Sequence, residues 1–362
     1  MINTVLATKW RPKNFSDVVG QTHVVTALTN GLSLGRIHHS YLFAGIRGIG
    51  KTTIARILAK CFSCKIGIVS IPCGNCNHCL EISQGKFIDF IEVDAASRTK
   101  VEDMRDLLDN VQYAPVSGRF KIYLIDEIHM LSRHSFNALL KTLEEPPKHV
   151  KFLLATTDPH KIPATILSRC MKFYLKTISV VQIYEKIYHI LKKEKVISEP
   201  GTLELLSRAA DGSMRDALSL TEQAIAIGNG QITNNTLKNM LGISDSEYPI
   251  NIIEALVEGN ANKIMNLLNQ IESIGYIDWD LLLVDVLRLL HAVFMIQLLP
   301  KSQNENKYNI RLNKLANIAS PNDLQLYYQI ILMGRKDLPN APNYRMGVDV
   351  TLLRALAFRF EN

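Results

Sequence analysis

The stretch GIRGIGKT at residues 45–52 fits the pattern Gly-x4-Gly-Lys-[Ser/Thr], and KIYLIDE at 121–127 ends an apolar run in two adjacent carboxylates. These residue types, so spaced, handle a nucleoside triphosphate. Glycines let backbone N–H groups approach phosphates, a lysine neutralises the terminal ones, and a threonine hydroxyl ligates Mg²⁺. In this reading Gly45, Ile46, Arg47, Gly48, Ile49 and Gly50 form the cradle, Lys51 and Thr52 act on phosphate and metal, and Thr53 carries the chain into a helix. Asp126 would hold the metal and Glu127 would orient or deprotonate the attacking water, so hydrolysis is expected as well as binding. The plainer alternative, a glycine-rich turn that binds nothing, fits poorly with a strand (YLFA) before the loop and a helix (TTIARILAK) after it.

A second constellation is CFSCKIGIVSIPCGNCNHC at 61–79, which holds five of the six cysteines. Structural zinc takes four tetrahedral ligands. By spacing, either Cys61, Cys64, Cys73 and Cys76 or Cys64, Cys73, Cys76 and Cys79 could supply them. Helical phase selects between the sets: Ile54, Ile57, Leu58 and Cys61 fall at i, i+3, i+4 and i+7, one apolar stripe facing the sheet. Cys61 is then a core residue, and Cys64, Cys73, Cys76 and Cys79 would brace an insertion by metal. A disulfide pair is the alternative, disfavoured in a reducing compartment. His78 lies within the cluster, but Cys79 completes a C-x2-C-x2-C run without it. Cys170 reads as a packed residue.

Certain elements must position these groups. Apolar runs at Ser40–Ala44, Ile88–Val93, Lys121–Ile125 and Lys151–Ala155 alternate with helical patterns beginning near Lys51, Val101 and Ser135, the last stopped at Pro146-Pro147. That alternation predicts a parallel sheet covered by helices on both faces. From about Ser179 the strand signals vanish, and three short helices follow (VVQIYEKIYHILKKEK, TLELLSRAA, MRDALSLTEQAIAI). The remainder is also helical. Its most apolar stretch, Leu281–Pro300, carries Asp285, Arg288 and His291, which would be costly in lipid, so a buried helix is expected. The N-terminal MINTVLATKWRPKNF lacks the apolar run of an export signal. A net charge of +7 is compatible with nucleic-acid contact and equally with an ordinary enzyme. By spacing alone Arg169 in LSRC, after the fourth run, and Arg215 in GSMRDAL, opening the last of the three helices, are solvated charges.

Seven stretches nevertheless recur in one order: WRPKNFSDVVGQ (10–21), GIRGIGKT, DAASRTKVEDMRDLLDN (94–110), LIDEIHMLSRHSFNALLKTLEEPP (124–147), LATTDP (154–159), ILSRC (166–170) and GSMRDALSL (212–220). In these the chain closely resembles the bacterial DNA polymerase III gamma/tau family, clamp-loader ATPases of the AAA+ class. The resemblance implies an α/β P-loop AAA+ domain over residues 1–178 with a parallel sheet and a zinc module at 64–79, a small helical lid domain over 179–242, and an all-α oligomerisation (collar) domain over 243–362. It implies that Arg169 is an arginine finger serving a neighbouring subunit's ATP, that Arg215 and Thr157 are sensors, and that Arg11, Pro12, Val18 and Val19 enclose the adenine. Cys64, Cys73, Cys76 and Cys79 match the family's zinc module. Arg98, Lys100 and Arg105 are similar to residues facing DNA, although VEDMRDLLDN also reads as an ordinary amphipathic helix.

The function so implied is an ATP-driven motor subunit that uses ATP, Mg²⁺ and structural Zn²⁺. With other subunits of a hetero-oligomeric ring it would open a sliding clamp and load it on primed DNA in the bacterial cytoplasm, with no membrane partner. The chain ends at Asn362, without the long extension that in some members grips polymerase and helicase, so the short, gamma-like form is expected. No polymerase site is found in the sequence; that activity would belong to the holoenzyme. Two other readings remain. A non-catalytic scaffold subunit of the same ring conflicts with intact Lys51, Thr52, Asp126 and Glu127, and a branch-migration helicase conflicts with the cysteine module and SRC.

Overall fold

The computed structural model describes residues 5–97, 107, 109–241, 247–273, 278–299 and 307–358. The chain forms two compact units, Met1–Ile232 and Thr233–Asn362.

In the first unit β1 (Ser40–Ala44), β2 (Phe90–Asp94), β3 (Lys121–Asp126), β4 (Val150–Thr156) and β5 (Met171–Tyr174) form one parallel sheet in the order β2-β3-β4-β1-β5. Every residue of β1 and β4 is buried, as expected for central strands covered on both faces. Alternate residues of β3 serve two cores. Ile122 and Leu124 pack with α1 (Thr22–Ser33) and α2 (Lys51–Ser63), whereas Tyr123 and Ile125 pack with the helix Arg133–Glu144. That helix starts two residues before the expected Ser135 because Ser132 caps it, accepting from the Ser135 N–H at 3.1 Å.

Two expectations for this sheet need correction. The second strand begins at Phe90 and not at Ile88: the Ile88 side chain is exposed, and Asp89 turns inward to accept the backbone N–H groups of Val116, Ser117 and Gly118 at 2.8, 2.7 and 2.6 Å. The fifth strand, MKFY, was not anticipated. It lies at the edge of the sheet and buries only Phe173 among its four residues, so it lacks the apolar run that marked the others. LSRC therefore sits immediately before β5.

The lid comprises α-helices Val180–Glu194, Thr202–Ala209 and Met214–Ile227. Strand structure does not end at Ser179, because Ile197–Ser198 and Gln231–Ile232 pair in parallel; two residues each are too few to show a period. In the second unit all described elements are helical. One of them, Trp279–Leu298, is long and apolar enough to cross a membrane by length and composition alone. Its Leu282, Leu283, Val286, Leu287, Leu290 and Val293 nonetheless pack in this unit's core with Tyr327, Ile331 and Leu352.

A candidate nucleotide site and a candidate metal centre

The loop after β1 is held by glycines for specific reasons. Gly45 has φ of +149°, and a Cβ there would lie 2.5 Å from Ile49 Cδ1 and 2.9 Å from the Leu175 carbonyl. Gly48 has φ of +80°, and a Cβ would meet Ser213 Oγ of the lid at 1.9 Å. The loop runs directly into α2 at Lys51, so the positive end of the helix dipole faces whatever anion the loop holds. Lys51 is buried, which lowers its pKa against the opposing pull of Glu127 and Asp126. Its Nζ donates to the Gly45 and Ile46 carbonyls at 2.8 and 2.9 Å.

The sheet brings the acidic pair to the same edge. Thr52 Oγ1 donates to Asp126 Oδ2 at 2.7 Å, the adjacency that a hydroxyl and a carboxylate need to share one divalent cation. Glu127 takes a left-handed backbone, φ of +48°, an uncommon state for a residue with a side chain. Its Oε2 accepts from the Thr157 N–H at 3.0 Å and from Thr157 Oγ1 at 2.8 Å.

A cavity of about 650 Å³ opens over these groups, within the range of small-molecule sites. Arg11, Pro12, Val18 and Val19 line it together with Arg47, Gly48, Ile49, Gly50, Lys51, Thr52, Thr53, Asp126, Glu127 and, from the lid, Arg215. Gly45 and Ile46 are not among the lining residues but accept from Lys51, and Thr157 reaches the site through Glu127. The Arg215 N–H donates to the Gly48 carbonyl at 3.3 Å, so the lid rests directly on the loop. Sequence reasoning missed Lys186, Ile178, Met214 and Leu218, which also line the cavity, and Asp94 at the end of β2. Only Asp94 carried a signal, as a carboxylate at the C-terminal edge of a parallel strand; the others depend on where the lid folds.

Arg169 is not brought to this cavity. Its guanidinium donates to Glu144 Oε1 at 2.6 Å and to the Thr165 carbonyl at 2.7 Å, and its own carbonyl accepts from Ser40 Oγ at 2.6 Å. Ser40 opens β1 whereas the glycine loop leaves its far end, a separation of about 15 Å along a five-residue strand. Arg98, Lys100 and Arg105 lie outside the described residues.

The sulfur atoms of Cys64, Cys73, Cys76 and Cys79 all lie within 4.8 Å of one another. Cys73 and Cys79 Sγ are 3.9 Å apart, close to the ~3.8 Å that ligands ~2.3 Å from a tetrahedral zinc require. Backbone N–H groups of Cys76 and Asn75 hold the Cys73 thiol down to about 6, favouring the thiolate that a metal binds. The four residues therefore fit a structural metal and leave no protein-free position among four ligands. Cys61 points into the core, and burial pushes its thiol up to about 12. His78 is engaged elsewhere: Nδ1 pairs with the Ser63 carbonyl at 2.8 Å and Nε2 with Ser117 Oγ at 3.1 Å. Cys170 is buried beside Ser40.

Comparison with known proteins gives three contiguous family matches: DNA polymerase III, delta subunit, over residues 20–179; the ATPase lid domain of the DNA polymerase III clamp loader subunit over 182–230; and domain III of DNA polymerase III subunits gamma and tau over 232–359. DNA polymerase III subunit tau of Salmonella typhimurium is 62% identical over 98% of this chain and 55% of its own length, so the chain spans about half of that relative. DNA polymerase III subunit gamma of Buchnera aphidicola subsp. Acyrthosiphon pisum is 49% identical, with 98% of each covered. Among solved structures, the Thermotoga maritima RuvB Holliday junction branch migration motor aligns over 90% of each chain at 19% identity and a TM-score of 0.49.

Proposed function

Because the chain belongs to the bacterial DNA polymerase III gamma/tau family, we propose that it is the ATP-driven motor subunit of a clamp loader. It binds and hydrolyses ATP to open a sliding clamp and place it on primed DNA in the cytoplasm, within a hetero-oligomeric ring. The observation that carries this reading is the convergence of Thr52, Asp126 and Glu127 under a lid that touches the glycine loop at Gly48. Lys51 leaves its two loop carbonyls to pair with the terminal phosphates, and Arg215 reports their presence to the lid. Arg11, Pro12, Val18 and Val19 hold the base. Bound Mg²⁺ would supply charge neutralisation at the phosphates, with Thr52 and Asp126 as its protein contacts.

ATP turnover by the assembled ring should rise on adding primed DNA together with a sliding clamp and should not rise with four-way junction DNA. Stimulation by junctions alone would overturn the clamp-loading assignment.

The cysteine module acts as a brace. Cys76→Ser or Cys79→Ser should release zinc and expose residues 64–79 to protease, since structural zinc in small modules contributes on the order of 10 kcal/mol. Cys61→Ser should retain about one zinc per chain, the complement of one four-ligand site. Metal analysis finding zinc lost from the Cys61 variant and kept by the Cys79 variant would reverse the ligand set.

A further inference from the structure

We infer that His129 is a positioning residue for Glu127, holding one carboxylate oxygen so that the other is presented to water. The inference rests on the reading of Glu127 as the group that acts on the attacking water.

Glu127 opens the short 3₁₀ turn Ile128–Met130, and the turn carries His129 back beside it. The imidazole is nearly enclosed, with 9% of its side chain exposed, so its place is set by packing. Nδ1 lies 3.3 Å from Glu127 Oε2 and 3.1 Å from Thr156 Oγ1. Thr156 is fully buried at the end of β4, and its hydroxyl also accepts from the Asp158 N–H at 3.1 Å.

The identity of the proton on Nδ1 follows from these neighbours. A bare Nδ1 lone pair would face the lone pairs of a carboxylate oxygen, a repulsive arrangement. An Nδ1–H instead donates to Thr156 Oγ1 and sets its positive ring edge 3.3 Å from Glu127 Oε2, an attractive contact. The Thr157 N–H and Oγ1–H both donate to Oε2, and the imidazole Nδ1 stands 3.3 Å from the same oxygen. Glu127 Oε1 is left to receive a proton. The 3.3 Å separation has room to shorten into a direct hydrogen bond in the substrate complex. Thr157 comes from the loop after β4 and His129 from the turn after β3, so together they fix the carboxylate from two directions.

The two amide replacements separate hydrogen bonding from packing. Asn can place an N–H where Nδ1 stands, whereas Gln reaches the position of Nε2. In the assembled loader with primed DNA and clamp, His129→Ala should lower kcat about 10-fold or more while equilibrium binding of ATP stays unchanged, the pattern of an interaction lost at the chemical step. His129→Asn should recover most of the rate and His129→Gln should not. In a Glu127→Gln background, His129→Ala should produce no further loss. Wild-type or faster turnover in His129→Ala, equal rescue by Gln and Asn, or failure of all three variants to fold would overturn the inference. Normal turnover in Glu127→Gln alone would instead remove the role of Glu127 itself, a separate failure.

Discussion

Replacing Arg169 by Ala is expected to leave ATP bound in its own chain and to lower hydrolysis in the assembled ring by about 10³- to 10⁵-fold, the range for arginines that stabilise a transferring phosphoryl group. The geometry motivates both halves. Arg169 lies just before β5, beside the start of β1 and so at the strand ends opposite the glycine loop, and does not line this chain's own cavity. Its guanidinium is a third exposed and pairs with the half-exposed Glu144, at 2.6 Å. Such a surface pair contributes only about 0–1 kcal/mol, so a neighbour's phosphate could displace it at little cost. Rings combining an Arg169→Ala subunit with an adjacent Lys51→Ala subunit locate the effect, because the dead site should be the neighbour's. If Arg169→Ala strips nucleotide from its own chain, or leaves ring turnover and clamp loading unchanged, Arg169 is a surface residue tied to Glu144 and nothing more.

Lys51→Ala and Glu127→Gln should fail in different ways. Lys51 approaches the phosphate loop itself, so its loss should abolish ATP binding. Glu127 faces the cavity from the end of β3 and is restrained by Thr157, so its amide should bind ATP normally and turn over about 10²- to 10⁴-fold more slowly, the usual contribution of a positioned base. Equilibrium nucleotide binding measured beside single-turnover hydrolysis separates the two. Equal loss of binding in both variants would place Glu127 among the phosphate-binding groups.

The candidate site was legible where the signal is local. The glycine loop and the Asp126-Glu127 pair are short patterns whose flanking strand and helix lie next to them in sequence. Cys61 could be separated from the other clustered cysteines because helical phase is local too: it packs in the apolar core with Leu58 and stands outside the group of four sulfurs. The lid's contact with the loop had no such signal. Ser213 and Arg215 meet Gly48 only because the chain returns across the sheet more than a hundred residues later.

By itself, then, the sequence located the glycine loop with its acidic pair, the cysteine cluster and the central strands, because spacing and apolar period encode contacts between near neighbours. Tertiary structure alone decided the rest. The edge strand β5 buries one side chain and shows no period, yet its pairing beside β1 sets where Arg169 stands. The restraint of Glu127 joins the ends of β3 and β4, whose parallel pairing makes neighbours of residues 30 apart in the chain. Long-range pairing follows from how apolar surfaces close over the whole sheet, and no window of the sequence contains that.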